Sequence, residues 1–149
     1  MKYSTRTRYG LRFLVYLALV EEDRYVQLRE LEQQERISLR YLEQIVRLLK
    51  PTGVLLSSRG KYGGYKLARN PEKISIAEMV SSLEGDLAPI SCLSHQYSCD
   101  RKPDCLTLPM WEELQEVINK YLRGKTLKDV VAQYRENRAR YGKIETGVQ

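Results

Sequence analysis

Three cysteines stand at 92, 99 and 105, separated by six and five intervening residues, and no others occur among the 149 residues. Thiolates are soft ligands that select iron-sulfur clusters or zinc, and such spacings on one loop let three sulfurs converge. Three thiols cannot all pair within one subunit, and in a reducing compartment clustered cysteines more often serve metal or redox chemistry than structural disulfides. Structural zinc sites usually carry Cys-x-x-Cys pairs, and the sequence has none. A disulfide switch would need only two of the three thiols, and three unrelated loop cysteines are the blandest reading. Nucleophilic catalysis by Cys99 or Cys105 finds no support. No His-Asp or Lys partner stands at a recognisable spacing, and the one histidine, His95, lies on the same segment.

A second set of residues has chemistry suited to DNA. Arg40, Glu43, Gln44 and Arg47 recur three and four apart on a predicted helix whose other face carries Leu42, Ile45, Val46 and Leu49. Arg bonds guanine bidentately, Gln does so with adenine, and Glu accepts from cytosine. A solvated helix face with mixed charges would look the same. The residues that follow decide between the two. Val54 to Ser57 favours a strand, Arg59-Gly60-Lys61-Tyr62-Gly63-Gly64-Tyr65 supplies a glycine-rich turn, and Lys66 to Ala68 returns as a second strand. A hairpin with Arg59 and Lys61 at its tip is a wing, placed to reach the minor groove while the helix lies in the major groove. A phosphate-binding loop would require a helix directly after the glycines, and none begins there.

The elements that must position these residues follow from periodicity and punctuation. A first helix is predicted over Tyr9 to Val20, with Leu11, Leu14, Val15, Ala18 and Leu19 at helical spacing, and a second over Tyr25 to Gln34 around Leu28 and Leu31. Ser38 is a favourable N-cap for the third, which Pro51 and Gly53 end. Ser75-Ile76-Ala77-Glu78 has the form of a capping box opening a short helix to about Glu84. From Asp86 to Leu106 the chain is polar and irregular, with Pro89 and Pro103 forbidding a long helix. Thr107 and Pro109 then open a helix with an apolar stripe of Trp111, Leu114, Val117, Ile118, Tyr121 and Leu122. Following the last element of its own domain, that stripe is expected to pack on a second copy. Gly124 ends it, Thr126 caps a final helix over about Leu127 to Arg140, and a polar tail follows.

The fold class is therefore mainly α with a small β-hairpin wing. A winged helix-turn-helix domain is predicted over 1–85, a cysteine-bearing loop over 86–106, dimerisation helices over 107–140 and a flexible tail over 141–149. The net charge of +6 is uneven: residues 1–69 carry 14 Lys and Arg against 7 Asp and Glu, whereas residues 70–149 carry 11 against 12. The surplus sits in the half that would neutralise phosphate, although RNA, an anionic membrane or an acidic protein partner would also accept a basic face. No stretch approaches the roughly 20 apolar residues of a membrane span, and the opening MKYSTRTRYGLR lacks the apolar run of a signal peptide. A cytosolic protein with no membrane association is expected.

Taken jointly, the opening MKYSTRTRYGLR, the helix Ile37-Ser38-Leu39-Arg40-Tyr41-Leu42-Glu43-Gln44, the wing Arg59-Gly60-x-x-Gly63-Gly64-Tyr65, the cysteine spacing and Cys105-Leu106-Thr107 before Trp111 form a specific pattern. The chain resembles the winged-helix transcription regulators that include the iron-sulfur cluster regulator IscR, the nitric oxide sensor NsrR and the cluster-free cysteine-metabolism repressor CymR. The match runs nearly end to end and is most similar to the IscR type in the third helix and the Cys105-Leu106-Thr107 segment. It implies a homodimer on double-stranded DNA, with Lys2, Ser38, Arg40, Tyr41, Glu43, Gln44, Arg47, Arg59 and Lys61 as the DNA-contacting set. It also implies that Cys92, Cys99 and Cys105 hold an iron-sulfur cluster, 2Fe-2S preferred, with a 4Fe-4S nitric oxide sensor or a cluster-free thiol-sensing repressor as alternatives. The fourth ligand does not carry over: the histidine that IscR-type proteins can use corresponds to Leu108, and the aspartate of some NsrR-type proteins to Arg8. His95, Asp100, Asp104, a carboxylate of the partner copy or an exogenous thiol remain open.

Overall fold

The computed structural model describes residues 2–20 and 23–145, with side chains through Tyr141. Helix α1 spans Thr5–Leu19 and begins earlier than the apolar pattern predicts, because Ser4 caps it by accepting from the Thr7 N–H. Its buried face is Thr7, Gly10, Phe13, Leu14 and Leu17, while the predicted stripe residues Leu11, Val15 and Ala18 lie at the margin of the core. Gly10 lets the distant Leu83 approach closely: a Cβ there would stand 2.5 Å from a Leu83 methyl carbon.

Helix α2 spans Leu28–Glu35 and also departs from its predicted start. Tyr25 and Val26 are not helical; Val26 exchanges both backbone hydrogen bonds with Tyr65 at 2.8 Å. The β-branched Val26 thus extends the hairpin's edge, a tertiary partner overriding the local helical pattern. Helix α3, Leu39–Leu49, keeps the predicted inward face of Leu42, Ile45, Val46 and Leu49, and Ser38 caps it by accepting from the Tyr41 N–H at 3.3 Å. A 3-10 turn over Lys50–Thr52 ends it, and Gly53 turns the chain toward the hairpin.

Strands β1, Leu55–Ser58, and β2, Gly64–Leu67, pair antiparallel with Leu55 opposite Leu67 and Ser58 opposite Gly64. Helix α4 spans Ile76–Glu84, but the predicted capping box does not form. The Ser75 hydroxyl makes no cap bond, Glu78 pairs with Arg69 at 3.0 Å, and the Ser75 backbone bridges Thr126. Residues 86–106 are irregular apart from 3-10 turns at Ser91–Leu93 and Lys102–Asp104. Helix α5 spans Leu108–Arg123 and has no fully buried residue.

Helix α6, Leu127–Glu145, runs past the predicted end at Arg140 into the segment expected to be a tail; residues 146–149 lie outside the described part. Its first turns return to the domain: Leu127 is buried within the core cluster and Val131 is also buried. Backbone bonds from Ile76 N–H to the Lys125 carbonyl (3.0 Å) and from Leu127 N–H to the Ile74 carbonyl (2.9 Å) hold it there. One core, built from Phe13, Leu31, Ile45, Met79 and Leu127 among others, therefore supports both α3 and the hairpin. Among the described residues no helix is long and apolar enough to cross a membrane.

Candidate DNA-binding surface and cysteine loop

Arg40, Glu43, Gln44 and Arg47 are all exposed on the outer face of α3, and among the described residues none of them is engaged in an ion pair. Their donors and acceptors are free for a partner, while four buried apolar side chains on the opposite face fix the helix's rotation. Ser38 is exposed and keeps its hydroxyl hydrogen available, because its oxygen is the acceptor in the cap. Tyr41 is half-buried; its ring packs edge-on against Tyr9 of α1, with centroids 5.6 Å apart and planes at 74°. The Arg12 guanidinium lies 5.3 Å from the Tyr9 ring centroid and is itself fixed by Glu35 at 2.7 Å. Tyr9 and Arg12 thus position Tyr41, a role that only the tertiary contact reveals.

Arg59 and Lys61 are exposed on the turn between β1 and β2. Two features stiffen that turn: the Gly63 N–H closes it onto the Gly60 carbonyl at 3.1 Å, and the Gln27 side-chain amide donates to the Lys61 carbonyl at 2.6 Å. Gly64, at φ +140°, sits where a Cβ would lie 2.3 Å from the Val26 carbonyl oxygen, so the β2 backbone is pressed onto the segment before α2. Gln27 had no sequence signal of its own. Lys2 is exposed just before the α1 cap, on a different element from the other basic residues of the expected set.

The cysteines lie on the expected loop as free thiols, Cys92 and Cys99 half-buried and Cys105 exposed. The structure does not bring them together: among the described residues no three His, Cys, Asp or Glu side chains gather as a ligand set. Cys105 differs from its neighbours in chemistry. The backbone N–H and the hydroxyl of Thr107, at the start of α5, hold its thiol below the usual range, with help from the Leu108 N–H and Arg101. Its sulfur is 3.8 Å from the Thr107 hydroxyl oxygen. His95, Asp100 and Asp104 are exposed. Asp86 staples the loop's beginning: Ser94, the Ala88 N–H and the His95 N–H all lower its carboxyl's affinity for a proton.

Glu84, the last residue of α4 and just before the loop, ties the end of α4 to α1. Its carboxylate accepts from the Ser4 N–H (3.0 Å), the Ser4 hydroxyl (2.8 Å) and the Thr7 hydroxyl, and so holds the first turn of α1. Beside that clasp an apolar groove of about 560 Å³ opens between α1, α4 and α5, lined in part by Leu11, Val80, Val117 and Tyr121.

A family model described as "Rrf2: Iron-dependent Transcriptional regulator" matches residues 3–133. The chain belongs to the Rrf2 family of transcription regulators. It is 35% identical over 131 residues to protein rrf2 of Nitratidesulfovibrio vulgaris, covering 88% of this chain and 87% of that one. In three dimensions this Rrf2-family protein is similar to CymR, the global cysteine regulator of B. subtilis, with a TM-score of 0.73, 30% identity, and 89% and 98% of the two chains covered. It is equally similar to T. potens IscR, with a TM-score of 0.73, 29% identity, and 92% and 90% covered. The winged-helix fold and the placement among DNA-binding regulators, rather than enzymes, are thereby established, and the resemblance read from the sequence holds.

Proposed function

We propose that this Rrf2-family protein is a homodimeric, cytoplasmic DNA-binding regulator whose cysteine loop carries an iron-sulfur cluster on Cys92, Cys99 and Cys105. The observation that carries the reading is the presence of three free thiols on one irregular loop, directly joined to α5 and ending in the acidified Cys105. The donor chemistry suits a cluster, since thiolates are its natural ligands and Cys105 gives up its proton readily. Because the thiols stand apart in the described conformation, cluster ligation requires the 86–106 loop to rearrange. When bound, the cluster supplies a group sensitive to redox state.

The chain's own residues then relate the loop to DNA. Glu84, just before the loop, ties the end of α4 to the first turn of α1, and Tyr9 on α1 touches Tyr41 on α3. A loop with two arrangements would bias α1 and, through the Tyr9 contact, the recognition helix; this rests on contiguity and on the requirement that the two states differ in DNA affinity. On the DNA, Arg40, Glu43, Gln44 and Arg47 read the major groove, Ser38, Tyr41 and Lys2 contact the backbone, and Arg59 and Lys61 reach the minor groove. The test is the visible spectrum of anaerobically purified protein, with iron and sulfide assayed on the same sample. Brown protein with matched iron and sulfide supports the reading, and the stoichiometry separates 2Fe-2S from 4Fe-4S. Protein that remains colourless after reconstitution overturns it.

A second reading, thiol sensing without a cluster, is favoured by Cys105 alone, which is exposed and acidified. Such a thiol oxidises readily to a sulfenic acid, which can condense with a second cysteine. Colourless protein whose DNA affinity changes on peroxide treatment, and is restored by a thiol reductant, would establish that reading instead.

A further inference from the structure

Tyr62 is the most conspicuous side chain of the wing, yet neither its charge nor its spacing marks it as a DNA contact. Its ring is 85% exposed, far more than the other exposed tyrosines at 97, 121, 134 and 141. An aromatic ring left in water is unremarkable on a floppy loop, but this one sits on a stiff mount. Gln27 fixes the carbonyl of the residue before it, the Gly63 N–H fixes the turn after it, and the Val26–Tyr65 bridge fixes the strand beyond. The Lys61 ammonium lies 5.5 Å from its ring centroid, so the tip presents a cation and an aromatic face together, with Arg59 on the same turn. Tyr62 itself lines one side of a shallow groove that also holds Asp23, Glu30 and Arg24, with Glu30 paired to Arg24, and its ring remains largely exposed there.

We propose that Tyr62 is an apolar wedge that enters the minor groove of the duplex and packs against sugars and a partly opened base step, selecting DNA that deforms there. This rests on the reading that the wing contacts DNA. Pyrimidine–purine steps open most easily, so a wedge generates a preference at a position where the protein makes no base hydrogen bond. Arg59 and Lys61, reaching the same minor groove, also offset the charge of the phosphates along its edges, while the ring adds contact free energy that salt does not screen. The work is divided between residues of one turn: the cations give salt-dependent affinity, and the ring gives a step preference.

The test uses the full-length protein as purified and a duplex enriched from a random-sequence pool by the wild type. Tyr62→Ala is expected to weaken binding about tenfold, in line with the loss of one aromatic–base contact, with an unchanged dependence on salt. Tyr62→Phe is expected to bind like wild type. Lys61→Ala should instead lower the slope of log affinity against log salt by about one. Pools reselected with Tyr62→Ala should lose a pyrimidine–purine step beneath the wing, and 2-aminopurine at that step should brighten on binding wild type but not the variant. If Arg59→Ala and Lys61→Ala leave affinity unchanged, the wing does not touch DNA and the underlying reading fails. If those variants weaken binding while Tyr62→Ala does not, the wedge alone is wrong. Equal losses for Tyr62→Phe and Tyr62→Ala would assign the hydroxyl, and likewise overturn the wedge.

Discussion

Cys105 and the α3 residues show what single side chains contribute. Cys105 is exposed, and the Thr107 N–H and hydroxyl stabilise its thiolate ahead of every other influence. Its thiolate therefore persists to lower pH than that of an ordinary cysteine, whose pKa is about 8.5. In cluster-free protein Cys105 should be alkylated by iodoacetamide faster than Cys92 or Cys99 at pH 7, with a rate midpoint below that of an unperturbed cysteine, and Thr107→Val should slow it; peptide mass spectrometry resolves the three sites. On α3 the expected signature is selective. Arg40→Ala should cost about 1–3 kcal/mol of binding and relax preference at one base pair, whereas removal of a phosphate-contacting cation weakens all sequences alike. Competition binding against single-base variants of the operator separates the two. The outward placement of these residues was legible in the sequence because α3 sorts polar from apolar strictly, and the structure leaves all four polar residues exposed and without ion pairs among the described residues.

At the scale of elements, local pattern succeeded where an element's partners are close in sequence and failed where they are distant. Helix α3 and its Ser38 cap are local, and both were readable. The start of α1 was not, although its Ser4 cap is equally local: the apolar stripe begins only near Leu11, and the further hold of Glu84 on Ser4 comes from 80 positions away. The start of α2 was missed because Val26 pairs with Tyr65, and the Ser75 capping box does not form because Glu78 turns to Arg69 instead. The three cysteines were legible as a spacing, but their separation in the described fold is a property of the loop's path, which no local rule fixes. The Glu84 clasp carries a pH consequence. Burial alone would raise its proton affinity, but hydrogen bonds from Thr7 and Ser4 and the charge of Arg6 outweigh it, so the folded-state pKa is lowered. The clasp's stabilisation is therefore complete above the unfolded value of about 4.3 and is lost as pH falls through the lower folded value. Glu84→Gln should cost about 1–2 kcal/mol at neutral pH by weakening these bonds, and should flatten the acid limb of a plot of urea-unfolding free energy against pH. An unchanged acid limb would mean that Glu84 is not the group that titrates.

At the scale of the molecule, the question is what covers α5. Helix α6 folds back so that Leu127 and Val131 complete the core, but α5 buries none of its residues fully. Val117 and Tyr121 are each 59% exposed, Met110 is 53% exposed, and Leu106 beside Cys105 is 97% exposed. Burying each such side chain stabilises an assembly by about 1.5–3 kcal/mol at most, before the cost of association is subtracted. On the proposed homodimer, a two-fold partner would cover the same row twice and would place two α3 helices on one duplex, which suits the half-site spacing of major-groove readers. Val117→Glu puts a carboxylate into that row at a position exposed in the single chain, so the fold should persist while the contact between copies is lost. Sedimentation equilibrium should show the wild type as a dimer and Val117→Glu as a monomer with unchanged far-ultraviolet circular dichroism. The monomer can hold only one half-site at a time, so its affinity for a two-half-site duplex should fall at least 100-fold, the gain that linked sites ordinarily provide, while binding to an isolated half-site changes little. A variant that stays dimeric, or a wild type that is monomeric at the same concentration, would remove α5 as the interface and leave its apolar row to another partner.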